Sequence, residues 1–325
     1  MDRVTRRDFL KGAAGAGAAA AFGGLAAAGG GRRTAEAPPP QVEERANSPL
    51  AYPSDRKVAY LAVTHGTDTA LITKAAIDAL GGMERFVKKG DQVIVKPNIC
   101  TDANGPEYAS TTNPTVVATL VTLCLEAGAA RVRVMDNPFG GPPESAYEVS
   151  GIKQAVNAVG GDMEIMSQAK YARFQIPQGR DLGSWTFYRD VLEADVLINV
   201  PIGKDHGLTR LTLGGKNIMG VILDPGQIHQ NIAQRVADLV SLVRPTLTVV
   251  DAVRILTSGG PTGGDLSAVK KLDTVIASSD IVAADSYATG LFGLTPHDVG
   301  YIPAMAAMGL GRMTVKKSEI EELTL

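Results

Sequence analysis

Cysteine is nearly missing from this chain: Cys100 and Cys124 are the only two among 325 residues. Two thiolates cannot complete a four-cysteine iron–sulfur site, so no self-contained 4Fe–4S cluster is expected. Cys100 follows an apolar strand and Cys124 falls on the apolar face of a helix. Those settings favour lone thiols over a disulfide. Aromatic residues are also scarce, at 5% of the chain, so the core must be built from aliphatic side chains. An excess of basic charge is lacking too. The formal net charge is −2, and residues 1–37 carry six basic against three acidic side chains, which leaves a mildly acidic body. With no basic stripe interleaved with aromatics, nucleic acid is excluded as a partner. No HExxH or CxxC motif fixes a metal, and no GxSxG turn presents a serine nucleophile.

What is present begins at the N-terminus. "TRRDFLK", residues 5–11, precedes an Ala/Gly-rich apolar stretch over 12–31. The pattern resembles a twin-arginine export signal and implies the twin-arginine translocase as a partner. The stretch is long enough to span a bilayer, but Ala and Gly make it weakly lipophilic, so export is preferred to an uncleaved anchor. The expected destination is periplasmic or extracytoplasmic. Residues 1–37 form the signal region, the Pro-rich segment 38–56 reads as a linker, and 57–325 as one folded unit.

From residue 57 onward, short aliphatic runs alternate with helical patterns. Strands are expected at 57–63, 91–98, 131–137, 163–166, 196–200, 246–253 and 273–278. Helices are expected at 68–87, 114–129, 146–159, 211–222, 228–243 and 280–293, the last capped by Asp280. Residues 170–193 read as a small inserted hairpin. Alternation of this kind predicts an α/β fold, a mainly parallel sheet with helices on both faces.

In such sheets ligands bind beyond the carboxyl ends of the strands. Polar residues recur at that predicted edge: Lys96 and Asn98, then Thr111 and Thr112, Asp136, then Lys204 and His206, Lys216 and Asn217, and Asp251. Lys96, in a strand of valines and isoleucines, either snorkels outward or meets an anionic partner. Thr112 or Asn113 can cap the helix that Pro114 begins, and free amides there would also hold an anion. Asp136 and Asp251 suit either turn formation or a divalent metal. His206 has the chemistry of an acid–base group, with Lys204 beside it. In "GGKNIMG" two glycines permit close backbone approach while Lys216 and Asn217 supply donors, which fits an anion clamp.

Several segments together resemble one family: "VIVKPN", "STTNPTVVATLVTLCLEAGAARVRVMDNP", "VLINVPIGKDHGLTRLTLGGKNIMG", "GGPTGG" and "ASSDIVAADSYATGLFGL". The chain is similar to the DUF362 family over about residues 57–312. Many relatives carry an added ferredoxin-like module with cysteine clusters, which this chain lacks. The resemblance therefore implies an iron–sulfur-associated family and leaves electron transfer to a redox partner protein. Together these features predict an exported enzyme with an anionic small molecule in a Lys/Asn/His/Asp cleft. The alternative is a non-catalytic anion- or metal-binding protein.

Overall fold

The computed structural model of the chain describes residues 58–325. The signal region and the linker lie outside the described residues.

The chain enters through β1 (Leu61–His65) and α1 (Thr69–Ala79), whose first turn is capped by Asp68 accepting from the Leu71 amide. Next come β2 (Gln92–Pro97) and α2 (Pro114–Glu126). At α2 the capping residue is Asn113, whose side chain accepts from the Thr115 amide, with Pro114 in the first helical position. β3 (Arg131–Val134) follows. The single helix expected over 146–159 is two, α3 (Pro143–Val149) and α4 (Ile152–Ala158), separated by Gly151 at φ 70°. A left-handed residue cannot continue a helix, which explains the break. β4 (Asp162–Met163) ends this half.

The expected hairpin is β5 (Tyr171–Gln175) and β6 (Ser184–Tyr188), an antiparallel pair separate from the main sheet. After α5 (Arg189–Glu193) runs β7 (Val196–Val200), buried throughout. Here the chain departs from expectation. Pro201 does not end the strand run: the chain steps sideways into β8 (Ile202–His206) and returns as β9 (Arg210–Thr212). Lys204 and His206 therefore stand on a strand, on the same face, rather than in a loop. The helix expected over 211–222 is reduced to α6 (Gly214–Asn217) and a 3₁₀ turn at Ile218–Val221. The chain closes with α7 (Ile232–Val243), β10 (Leu247–Leu256), β11 (Val269–Ser278), α8 (Ile281–Thr289), α9 (Tyr301–Ala307) and β12 (Ile320–Thr324).

The main sheet has the order β12-β1-β11-β10-β7-β2-β3-β4, with β8 and β9 attached beside β10. Within that order only β11 runs against its neighbours. The fold is α/β with a mostly parallel sheet. Side-chain alternation sorts the sheet into two cores. Val93 and Val95 join one core with α1 and α2, while Ile94 joins the other with α7, α8 and α9. Lys96 shares the face of Ile94, and Asn199 shares the face of Leu197. Because Lys96 pairs with Asn199 in register, both polar side chains enter the same layer, under α6.

Candidate functional site

A cavity of about 320 Å³ opens where β2, β3 and β8 meet the α6 segment. Lys96, Asn98, Asp136, Lys204, His206, Lys216 and Asn217 all line it. Three predicted residues stand elsewhere: Thr111, Thr112 and Asp251 are not among its walls.

Two of the three lysines are fully engaged. Lys96 Nζ donates to Asp136 Oδ1 at 2.7 Å, Pro97 O at 2.8 Å and Asn217 Oδ1 at 3.1 Å. Lys204 Nζ donates to Ser110 O at 2.6 Å, Asn98 Oδ1 at 2.9 Å and Pro261 O at 2.9 Å. An ammonium has three N–H donors, so neither has one to spare. Both side chains are out of water. Burial depresses each amine, and for Lys96 the Asp136 carboxylate opposes that.

The carboxamides form a second layer. Asn98 Nδ2 donates to Asn217 Oδ1 at 3.0 Å, and Asn217 Nδ2 donates to Asn199 Oδ1 at 2.8 Å. Asn199 Nδ2 in turn donates to Gly214 O at 3.0 Å, tying β7 to α6. Thr112 works behind Asn98: its hydroxyl donates to Val200 O and accepts the Asn98 amide, each at 2.8 Å. Thr111 Oγ1 is buried without a partner among the described residues, and Thr111 does not line the cavity.

The two aspartates are not brought together. Asp136 holds Lys96 through Oδ1 and accepts the Ile99 amide through Oδ2 at 2.6 Å. Asp251 accepts the amides of Asn113 at 2.7 Å and Val253 at 3.0 Å. Burial pushes its carboxyl up to about 6 despite those donors. Asp251 therefore braces the start of α2. Among the described residues, no group of three or more His, Cys, Asp or Glu side chains could hold a metal ion.

Lys216 differs from the other lysines. It lines the cavity from α6, and among the described residues its ammonium forms no hydrogen bond or ion pair. Burial lowers its amine to about 8, with the charges of Lys204 and Lys96 acting in the same direction. Thr212 lines the same cavity, and among the described residues its hydroxyl is buried without a hydrogen-bond partner. A buried polar atom left unpaired is unusual and requires an explanation.

His206 is held as a neutral ring. Burial is the main cause of a pKa lowered to about 4, and the charges of Lys216 and Lys204 add to it. Its Nδ1 accepts the Leu208 amide at 3.2 Å, so the proton sits on Nε2. His229, also on the cavity wall, is lowered by the same two causes, burial and Lys216. Cys100 lines the cavity as a free thiol whose Sγ donates to Pro261 O at 3.4 Å. Burial raises that thiol and Lys204 counters it.

Three contributors lie outside the strand-end pattern of polar residues. Thr212 lay in what reads as a helix start. Asp285, fully buried in α8, accepts the amides of Gly214 at 2.7 Å and Gly215 at 2.8 Å and so fixes α6. Gly220 leaves room for the central ion pair, since a Cβ there would meet Asp136 Oδ1 at 2.1 Å and Lys96 Nζ at 2.7 Å. A charged residue inside the apolar run of 281–289 was a visible signal for Asp285.

The family model described as Domain of unknown function (DUF362) matches residues 93–290, more than half of the chain, and the chain belongs to that family. A twin-arginine translocation pathway signal sequence matches residues 3–23, and the protein is exported by that route. Among the described residues, no helix is long and apolar enough to cross a membrane. A thylakoid-associated protein of Synechocystis sp. is 27% identical over 249 residues, covering 73% of this chain and 74% of its own. Among solved structures, the lactate racemase apoprotein of Thermoanaerobacterium thermosaccharolyticum aligns with a TM-score of 0.45 and 12% identity. That alignment covers 78% of this chain and 61% of the racemase. A Thermotoga maritima protein aligns with a TM-score of 0.40 and 14% identity, covering 70% of this chain and 60% of its own.

Proposed function

We propose that this exported DUF362 protein is an enzyme that takes a small anionic molecule into the Lys/Asn/His cavity. The observation that carries the reading is the unpartnered Lys216 ammonium, set beside two lysines whose own donors are all used. Lys96 is offset by Asp136, but among the described residues Lys204 and Lys216 have no carboxylate partner. The cavity therefore holds uncompensated positive charge in a poorly hydrated space, where an entering carboxylate or phosphate is attracted strongly. A volume of about 320 Å³ suits a metabolite-sized ligand.

Two features favour chemistry over storage. An amine with a pKa of about 8 changes protonation state near working pH, which suits Lys216 to proton exchange with the ligand. The acid–base role expected for His206 passes to Lys216, because a ring with a pKa of about 4 stays neutral. Its Nε2–H is instead a fixed hydrogen-bond donor for an oxygen on the ligand. Lys204, with every donor engaged, contributes field and not contact.

Calorimetric titration of the mature protein with inorganic phosphate, succinate and the uncharged succinamide tests this reading. The expected result is binding of one or both anions, no binding of succinamide, and affinity at least tenfold lower in Lys216→Met. Failure of both anions to bind at millimolar concentration overturns it.

A further inference from the structure

The cavity lysines are not equivalent, and the difference is one of availability. Lys96 and Lys204 each direct three N–H groups at three fixed acceptors. Neither nitrogen can present a lone pair to a ligand without breaking that set. Lys216 has no such partners among the described residues and shares the cavity with the apolar side chains of Ile99, Phe139 and Met219. One further group in the cavity is unsatisfied. The Thr212 hydroxyl stands on the last residue of β9, four positions before Lys216, with residue exposure of 3%. Lys216, Thr212 and His206 line the same cavity, and among the described residues the Lys216 amine and the Thr212 hydroxyl are both without a hydrogen-bond partner.

We propose that Lys216 forms an iminium (Schiff-base) linkage with the carbonyl carbon of a small 2-oxo acid. This inference rests on the anion-binding reading and names the class of molecule within it. The amine nitrogen attacks the carbonyl carbon, forming the C–N bond while the carbonyl electron pair moves to oxygen. A proton from nitrogen passes to that oxygen to give the carbinolamine. Protonation of the hydroxyl from solvent then lets the C–O bond break, and water leaves. An ammonium and a carbonyl are consumed, and an iminium and one water are produced. Charge balances, and no oxidant or reductant is needed. The Thr212 hydroxyl and the His206 Nε2–H donate to the departing oxygen and to the carboxylate. The attacking amine and the carbinolamine are neutral, and positive charge returns to nitrogen in the iminium, where it again attracts the carboxylate.

Burial and the neighbouring lysine charges bring the Lys216 amine down to about 8, so a useful fraction is unprotonated near neutral pH. The charged and titratable groups on the cavity wall around it are Lys96, Asp136, Cys100, Lys204, His206 and His229. Of these, Cys100 opposes the lowering.

Trapping with sodium borohydride in the presence of pyruvate tests the linkage on the mature protein. Peptide mass mapping is expected to find the reduced pyruvate adduct on Lys216 and on neither Lys96 nor Lys204. Inorganic phosphate should suppress that adduct, Lys216→Met should lack it, and Thr212→Val should form it several-fold more slowly. Trapping should accelerate as pH rises toward 8. Absence of an adduct in a protein that binds phosphate or succinate overturns this inference and leaves the anion-binding reading standing. Labelling that phosphate does not suppress, or that spreads over surface lysines, overturns it equally. Absence of anion binding removes both.

Discussion

Lys96 Nζ and Asp136 Oδ1 lie 2.7 Å apart, in an ion pair with both side chains almost wholly out of water. Lys96 is the penultimate residue of β2 and Asp136 lies two residues beyond the end of the neighbouring parallel strand β3, so the pair clamps the sheet edge where the cavity begins. Asp136 also fixes the Ile99 amide through its second oxygen. A buried pair of this kind contributes little net stability compared with apolar packing, yet removing one partner strands the other charge. Asp136→Asn is therefore expected to lower unfolding free energy by about 3–5 kcal/mol. The double variant Lys96→Met/Asp136→Leu should recover most of the loss. Urea unfolding of the two variants checks the order.

Gly220 tests the same pair from the opposite side. Its absent side chain leaves the space into which Asp136 Oδ1 and Lys96 Nζ fit, at 2.1 Å and 2.7 Å from where a Cβ would stand. Both distances are too short for a real carbon, and both neighbours are pinned by other bonds. Gly220→Ala is expected to destabilise the protein by about 1–3 kcal/mol through this overpacking. Because the displaced groups are cavity wall, phosphate binding should weaken in parallel. Equal stability in Gly220→Ala and the parent, measured by thermal unfolding, would contradict this geometry.

Periodicity made much of the fold legible. Aliphatic runs at 91–98, 131–137 and 196–200 could hardly be anything but buried parallel strands, and Pro114 after Asn113 marked the start of α2. Legibility failed where the chain turns inside the sheet. Pro201 reads as a terminator, but it occupies the step between β7 and β8, where no ladder donor is required. That step carries Lys204 and His206 from an expected loop into a strand. The stretch at 211–222 matches a helical pattern in its apolar spacing, yet Gly214 and Gly215 are close-contact positions. A Cβ on Gly214 would meet Asp285 Oδ1 at 2.7 Å, and one on Gly215 would meet Met305 at 3.0 Å. Long-range contacts of that kind have no local signature.

The same limit applied to the site. The recurrence of polar residues at strand ends located Lys96, Asn98, Lys204, Lys216 and Asn217 near one another without saying which are free. Hydrogen-bond occupancy separates them, and it depends on carbonyls such as Ser110 O and Pro261 O that no residue type reveals. Asp251 and Thr112 shared the pattern for a different reason: they hold backbone at the head of α2 and behind Asn98.

Asp285 determines where Lys216 is presented. Its two oxygens accept the Gly214 and Gly215 amides, and burial raises the carboxyl to about 7. Asparagine offers one acceptor and would turn an amide donor toward the second N–H. Asp285→Asn is expected to cost about 1–3 kcal/mol of stability. Phosphate affinity should fall too, because α6 shifts, although residue 285 does not line the cavity. Unchanged affinity in a destabilised Asp285→Asn protein would separate the brace from the site.

His206 should leave a signature in the dependence of stability on pH. Its ring titrates near 6.5 when unfolded and at about 4 when folded, because burial and the charges of Lys216, Lys204 and His229 disfavour the imidazolium. Between those values the unfolded chain binds more protons, so this group's contribution to stability rises with pH and is lost as pH falls from 6.5 to 4. The full shift corresponds to roughly 3 kcal/mol. Asp251 and Asp285, whose carboxyls are raised by burial, act in the opposite sense over an overlapping range. The parent alone would therefore show a partly cancelled slope. Comparison with His206→Gln isolates the histidine: the variant should be less sensitive to acid, and the parent's stability minus the variant's should fall as pH falls from 6.5 to 4. Urea unfolding of both proteins across that range measures the difference, and parallel curves would place an ordinary, solvent-exposed imidazole at position 206.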